Sequence, residues 1–174
     1  MDKAASNLIR VIPDFPKPGI IFKDITPLLA NAKMFKQSCQ EIADLADQVD
    51  YLAGIEARGF IFAAAAASLI NKGFIPIRKV GKLPGETISQ SYDLEYGQAT
   101  LEIHANIIPA GKKVLIVDDV LATGGTAIAA IDLILHAKLI PIGACFLIEI
   151  AELGGRSRIN QAHGGLQINT ILAE

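Results

Sequence analysis

The run Val114-Leu115-Ile116-Val117-Asp118-Asp119-Val120-Leu121-Ala122-Thr123-Gly124-Gly125-Thr126 limits what this chain can become more than any other stretch. Four apolar residues end in paired carboxylates, and a small Gly/Thr loop then opens a helical pattern. Such a run, entering a glycine-rich turn ahead of a helix, predicts a buried parallel strand over Lys112 to Val117 that feeds an anion-binding loop. The loop supplies uncrowded backbone N–H groups, two hydroxyls and a helix N-terminus carrying roughly half a positive charge, the parts that hold a phosphate. Asp118 and Asp119 would repel that phosphate, but as a pair they suit hydroxyl groups. A phosphate at one end and a diol nearby describe a ribose 5-phosphate.

The flanking sequence alternates between strand and helix patterns. Ala4 to Val11 allows a short helix, and the three prolines from Ile12 to Gly19 then demand an extended, turn-rich segment. Ile20 to Ile25 suits a short strand or lid element, ended by Thr26-Pro27. Asn31 can cap a helix running to about Val49, since Phe35, Cys39, Ile42, Leu45, Ala46 and Val49 recur at helical steps. Tyr51 to Ile55 predicts a strand, Glu56 to Gly59 a turn, Phe60 to Asn71 an alanine-rich helix ended by Gly73, and Phe74 to Lys79 the next strand. This β-turn-α-β order predicts parallel strands with a right-handed crossover. Val80 to Gln90, with Gly81, Pro84 and Gly85, predicts a mobile loop. Ile88 to Glu95 and Ala99 to Ile103 predict a hairpin around Tyr96-Gly97. A helix from Thr126 to Lys138, a strand from Leu139 to Ile150 interrupted by Pro141 and Gly143, a short helix from Glu152 to Gln161 and an edge strand from Leu166 to Leu172 complete the chain.

The expected class is α/β, a mainly parallel sheet flanked by helices with a small N-terminal hood and a flap hairpin. At 174 residues the chain is long enough for a substantial core and short for two domains. It reads as one domain over residues 1–174, with the hood over about 1–30, a core over about 31–150 and a C-terminal segment over 151–174. A 51% hydrophobic composition excludes a disordered or fibrous class. A net charge of −2 leaves no electrostatic footprint for nucleic acid or an anionic membrane, so neither is expected as a partner. Cys39 and Cys145 have no ligand or disulfide spacing, which fits a reducing compartment. The run from Phe60 to Ile70 is too short to span a bilayer, and Asp2 and Lys3 precede no apolar signal region, so a soluble, cytoplasmic protein is expected. His104, His136 and His163 show no ligand spacing, and no metal cage built by the protein is expected.

Val117 to Thr126 (VDDVLATGGT) resembles the phosphoribosyl-pyrophosphate signature of the type I phosphoribosyltransferases. Ile12 to Leu28 (IPDFPKPGIIFKDITPL), Gly54 to Phe60 (GIEARGF), Ile77 to Gly85 (IRKVGKLPG) and Ser91 to Gly97 (SYDLEYG) are similar, in order, to segments of that family's adenine-using branch. The resemblance covers nearly the whole chain. It implies the type I fold and transfer of 5-phosphoribosyl from phosphoribosyl pyrophosphate to adenine, giving AMP and pyrophosphate for purine salvage. It also implies a homodimer, and Mg²⁺ held mainly through substrate phosphates and water. No nucleotide P-loop or G-x-G-x-x-G competes with this reading.

The resemblance assigns Asp118 and Asp119 to the ribose hydroxyls and Ala122, Thr123, Gly124, Gly125 and Thr126 to the 5-phosphate. Pyrophosphate needs its own cationic site, because its charge develops as the C1′ bond breaks. Arg58, Arg78, Lys79 and Lys82 all stand beside glycine-containing turns. In the family the turn Glu56-Ala57-Arg58-Gly59 is the pyrophosphate loop, which implies a non-proline cis peptide at Glu56–Ala57, and the Arg78 region reaches a neighbouring subunit. The turn Leu94 to Gly97 resembles the family's flap, and the resemblance makes Glu95 the proton-transfer residue for the base, unless it only orders the hairpin, and Tyr96 a pyrophosphate partner. Ile21, Phe22 and Ile150 match positions that sandwich adenine, with the backbone from Ile21 to Lys23 reading the base edge. Plain core packing suits Phe22 equally well, and Lys23 stands where many relatives have arginine. The rival readings are a transferase for xanthine or guanine, and a non-catalytic nucleotide-sensing regulator on the same fold. The hood sequence disfavours the first, and the lack of a basic surface or appended helix-turn-helix disfavours the second.

Overall fold

Prolines and charge pairing shape the N-terminus. The computed structural model describes residues 3–94 and 97–172, beginning with α1 (Lys3–Ser6) and two short antiparallel strands, β1 (Arg10–Ile12) and β2 (Phe22–Asp24). The helix expected from Ala4 to Val11 stops early because Arg10 and Val11 pair with Asp24 and Lys23, and the Arg10 guanidinium donates to the Asp24 carboxylate. The Phe15–Pro16 bond in the connecting loop is cis. Thr26-Pro27 opens a helix, α2 (Thr26–Ala30), where proline in the first turn forfeits no hydrogen bond. Asn31 caps α3 (Ala32–Asp44) as expected, its Oδ1 accepting from the Met34 N–H at 3.1 Å. The helix ends at Asp44, short of Val49, and 3-10-like turns carry the chain onward.

Next come β3 (Tyr51–Ile55), α4 (Arg58–Leu69), β4 (Gly73–Lys79), β5 (Thr87–Leu94) and β6 (Gly97–His104). They are followed by β7 (Lys113–Leu121), α5 (Gly125–His136), β8 (Ile140–Glu149), a 3-10 turn (Ala151–Leu153), α6 (Gly155–Ala162) and β9 (Gln167–Leu172). One seven-stranded sheet has the order β5-β6-β4-β3-β7-β8-β9. The five strands from β4 to β9 in that order are mutually parallel, while β6 runs antiparallel to β4 and β5 antiparallel to β6. The sheet is mixed and mainly parallel, as the alternating patterns imply.

Several boundaries moved for reasons that lie in neighbouring strands. The strand expected to end at Val117 continues through both aspartates, because β8 goes on pairing with it where β3 has stopped, Asp118 opposite Phe146 and Val120 opposite Ile148. Pro141 and Gly143 flank a bulge: Val114 pairs with Pro141 and Leu115 with Gly143, leaving Ile142 extra. Residues 88–90, where the expected loop and the expected strand overlap, belong to the strand, which pairs with β6 from Thr87 onward. The reversal after α4 falls on Asn71, with φ 54°, so Gly73 is free to start β4. The first turn of α4 begins at Arg58 rather than Phe60, and α6 at Gly155 rather than Glu152.

Both faces of the parallel strands are covered, which is why β3 is buried along nearly its whole length. On one face Ile42, Phe62, Leu52 and Leu115 join α3 and α4 to the sheet, and Ala63, Ala66 and Ala67 let α4 lie close. On the other face Ile131 and Ile134 of α5 pack on Ile116 and Phe146. The chain therefore leaves β3 toward one face and the adjacent β7 toward the other. Their carboxyl ends flank a crevice of the kind in which open α/β sheets bind ligands. Among the described residues no helix is long and apolar enough to cross a membrane.

Candidate active site

At the crevice β7 delivers Asp118 and Asp119, the latter 5% exposed. The Asp119 N–H donates to Asp118 Oδ1 at 2.9 Å. Across the crevice Arg58, first residue of α4, brings Nε to 2.7 Å from Asp119 Oδ2. That ion pair is off the line a hydrogen bond needs, so this buried oxygen has no hydrogen-bond donor among the described residues. Burial pushes Asp118 well above the usual carboxylate range, and the charge of Asp119 adds to the shift. Burial raises Asp119 as well, against the pull of Arg58. Asp119 Oδ2 is thus left able to accept from a donor such as a hydroxyl group.

Beyond the pair, residues 122–126 wrap a cavity of about 70 Å³ lined by Asp118, Thr123, Gly125 and Phe146. Gly124 turns the chain with φ 83°, and Gly125 opens α5, so the free N–H groups of the first helical turn face this space. The floor is another backbone: a methyl group on Gly155 would stand 2.2 Å from the Ala122 carbonyl oxygen, which only glycine permits. The next residue, Arg156, fixes that floor. Its Nε donates to both oxygens of Glu149 at 3.1 and 3.0 Å, and its other nitrogens reach the Ile168 carbonyl at 2.7 Å and Thr170 Oγ1 at 2.9 Å. Arg156 in turn is the chief reason the Glu149 carboxyl lies below its ordinary range. Thr126 Oγ1 donates to the Tyr92 hydroxyl at 3.3 Å, tying the loop to β5.

Of the residues expected at pyrophosphate, Glu56, Arg78, Lys79 and Lys82 are joined by hydrogen bonds. The Glu56–Ala57 bond is cis. Glu56 accepts from Arg78 Nε at 3.2 Å and from the Lys79 N–H at 3.0 Å; burial pushes its carboxyl up, but these donors hold it below the usual range. Arg78 also donates to the Lys82 carbonyl at 3.0 Å, so one guanidinium joins the Glu56 turn to the loop after β4.

Arg58 links this region to the hood. Its guanidinium donates to the Lys23 carbonyl at 3.0 Å and lies 4.8 Å from the centre of the Phe22 ring. Phe22 meets Phe15 edge-on at 5.2 Å, and Ile21 is 57% exposed. Ile150 is set at the end of β7 by its N–H, which donates to the Leu121 carbonyl at 2.8 Å. Of the hood backbone expected to read a base edge, the Lys23 carbonyl is thus already engaged. Glu95 and Tyr96 lie outside the described residues. Two buried or partly buried groups escaped the motif reading: Glu102 on β6 and the Glu149–Arg156 clamp. A charged residue within the apolar run Leu101 to Ile103 was the signal for the first. The second joins three separated segments and left none.

His163 Nε2 lies 3.0 Å from Asp132 Oδ1, away from the crevice residues. Among the described residues no cluster of three His, Cys, Asp or Glu side chains is placed to hold a metal ion.

Comparison with known proteins gives consistent neighbours. The profile of the phosphoribosyl transferase domain matches residues 23–166. The adenine phosphoribosyltransferase of Halothermothrix orenii is 52% identical over 172 residues, 97% of this chain and 98% of that protein. The crystal structure of adenine phosphoribosyltransferase from Thermoanaerobacter pseudethanolicus is 44% identical, superposes with a TM-score of 0.90 and is covered over 97% of each chain. That of the Saccharomyces cerevisiae enzyme, complexed with adenine and an imino-altritol bisphosphate, is 37% identical with a TM-score of 0.88 over 98% of this chain and 97% of that one.

Proposed function

This chain belongs to the phosphoribosyltransferase family, and we infer that it transfers the 5-phosphoribosyl group of phosphoribosyl pyrophosphate to adenine, forming AMP and pyrophosphate. The observation that carries the reading is the junction of β7 and α5, where a carboxylate pair, Asp118 half-buried and Asp119 buried, and an anion-binding loop follow each other on one strand-loop-helix unit. Adenine as acceptor rests on relatives of that activity along the whole chain.

Asp118 and Asp119 accept hydrogen bonds from the ribose 2′- and 3′-hydroxyls, a role supported by the buried Asp119 Oδ2 that lacks a donor among the described residues. The N–H groups and hydroxyls of Ala122, Thr123, Gly124, Gly125 and Thr126 take the 5-phosphate at the positive end of α5. Arg58, Arg78, Lys79 and Lys82, with the Glu56–Ala57 turn and Tyr96, take the pyrophosphate. As the C1′–O bond breaks, negative charge gathers on the leaving group, where fixed cations stabilise it more than in the ground state. Adenine lies against Ile21, Phe22 and Ile150, with the Lys23 backbone near its edge, and N9 bonds to C1′ from the side opposite the leaving oxygen. Glu95 handles the proton the base gives up, and flap closure excludes water that would hydrolyse the sugar.

Mg²⁺ fits as an ion carried by the substrate. The two crevice carboxylates are adjacent on one strand and Asp119 is already paired with Arg58, a donor set suited to a hydrated ion on phosphate oxygens rather than a cage. When bound, it neutralises charge on the phosphates. The homodimer, with the Arg78 region facing the neighbouring subunit, is carried over from the family resemblance of the Ile77 to Gly85 segment. Cys39 and Cys145, free and buried, fit a reducing compartment such as the cytoplasm.

The test is pyrophosphate release with phosphoribosyl pyrophosphate, Mg²⁺ and each purine base in turn. Turnover with adenine is expected; its absence overturns the reading.

A further inference from the structure

Glu102 has no place in the chemistry above, yet it is a carboxylate 4% exposed on β6. A buried carboxylate is expensive unless its oxygens are met by donors. The partner of Glu102 on β4 is Arg78, but that guanidinium is taken by Glu56 and by the Lys82 carbonyl. The donors that meet Glu102 are chiefly backbone amides: its Oε1 accepts from the Lys82 N–H at 3.0 Å and from the Leu83 N–H at 3.0 Å. The Gly81 N–H and the Thr87 hydroxyl also face it. Burial pushes the carboxyl up, and these donors outweigh burial and hold it below the ordinary range.

The peptide groups around Lys82 are thus gripped from two sides. Glu102 takes the N–H of Lys82 and Arg78 takes its C=O, while Arg78 is anchored on Glu56 at the cis turn. The Lys82 side chain is exposed. A long, exposed lysine on a glycine-containing loop loses considerable freedom when it binds an anion, and a loop already ordered leaves less to lose.

We propose that Glu102 is a positioning residue for pyrophosphate: by fixing the backbone of Gly81 to Leu83 it presents Lys82 to the leaving group. The inference rests on the reading of Lys82 as a pyrophosphate ligand. It predicts a selectivity that a general structural role would not produce. AMP carries no pyrophosphate, so the loop is irrelevant to AMP binding.

The experiment measures, with Mg²⁺ present, the affinities of the full-length protein for pyrophosphate and for AMP, and the KM for phosphoribosyl pyrophosphate, in Glu102→Ala, Glu102→Gln, Lys82→Ala and the Lys82→Ala/Glu102→Ala double variant. Glu102→Ala is expected to weaken pyrophosphate binding and raise that KM about tenfold, with AMP affinity within about twofold. Glu102→Gln keeps an acceptor oxygen in place and is expected to recover most of the loss. In the Lys82→Ala background the Glu102→Ala change is expected to add nothing. Unaltered pyrophosphate binding in Glu102→Ala, equal loss of AMP and pyrophosphate, or full additivity in the double variant overturns the positioning role. Unaltered pyrophosphate binding in Lys82→Ala overturns the reading of Lys82 itself, and the role of Glu102 with it.

Discussion

Arg58 Nε and Asp119 Oδ2 stand 2.7 Å apart across the crevice between β3 and β7, with the Asp119 side chain 7% exposed. Each comes from a different unit of the sheet, one from the first turn of α4 and one from the extended end of β7. The same guanidinium holds the Lys23 carbonyl of the hood. One side chain therefore registers three parts of the site against each other before any ligand arrives, a form of preorganisation. A single cation facing a buried and a half-buried carboxylate also leaves the site under electrostatic stress.

That stress predicts a stability gain on removing one charge. The folded-state pKa of Asp118 is raised by burial and then by Asp119, so the folded chain holds this proton more tightly than the unfolded chain does. Folding stability therefore falls as pH rises from the ordinary carboxylate range through that raised value, and at neutral pH the ionised form is a net penalty. Asp118→Asn keeps an oxygen for the Asp119 N–H and removes the charge. Calorimetry at neutral pH is expected to show a Tm higher by about 2–4 °C. Kinetics are expected to show kcat/KM for phosphoribosyl pyrophosphate lower by about 10–100-fold. A lower Tm would mean the pair is fully compensated.

The floor of the phosphate loop gives a separable prediction. Gly155→Ala must displace the Ala122 carbonyl, since the added carbon would lie 2.2 Å from it. Arg156→Ala instead frees the helix that carries Gly155 from Glu149, Ile168 and Thr170. Titration calorimetry is expected to show AMP affinity reduced about tenfold for Arg156→Ala and further for Gly155→Ala, because both act on the 5-phosphate. Pyrophosphate affinity is expected to stay within about twofold, since its residues lie on the other side of the crevice.

Features set by adjacent residues were legible in the sequence: the apolar run into the glycine loop, the Asn31 cap, the hairpin around Gly97 and the order of strands and helices. What escaped was set by partners distant in sequence. Nothing in Val117 to Leu121 says that β8 will keep β7 extended past β3, so the aspartates looked like a strand end. Arg58 read as a pyrophosphate cation; its grip on Asp119 and on the Lys23 carbonyl needs the fold to bring residues 23, 58 and 119 together. The cis bond at Glu56–Ala57 was expected from family resemblance alone, because neither residue favours it. Glu102 and Arg156 organise loops rather than form motifs, and motif reading passes over residues of that kind.

Both cysteines lie in the core, and burial pushes the Cys39 thiol up to about 11 and the Cys145 thiol up to about 12. A thiol reacts as its thiolate, so both are expected to be inert at neutral pH while the fold holds. Titration with a disulfide reagent should show no fast reaction in the native protein and two thiols after denaturation. A fast native equivalent would show that the helix carrying Cys39 opens locally.

Asp24 gives the hood a pH dependence of the opposite sign. The Thr26 hydroxyl, the Thr26 N–H and Arg10 hold its carboxyl at about 2, below its ordinary 3.8. With the folded value depressed, the stabilisation is fully present above the ordinary range and is lost as pH falls through the folded value. Thermal melts between pH 5 and pH 2 are therefore expected to show the natural protein losing stability more steeply than Asp24→Asn, which has no charge left to lose. The substitution also bears on function through geometry. Asp24 directly follows Lys23, and its carboxylate, held by Arg10 and Thr26, fixes this strand; the Lys23 carbonyl docks on Arg58, and Arg58 in turn lies over Phe22. Loosening this hairpin at neutral pH is expected to raise the KM for adenine several-fold, with the KM for phosphoribosyl pyrophosphate nearly unchanged. Equal rises in both would assign the hood to the whole site rather than to the base.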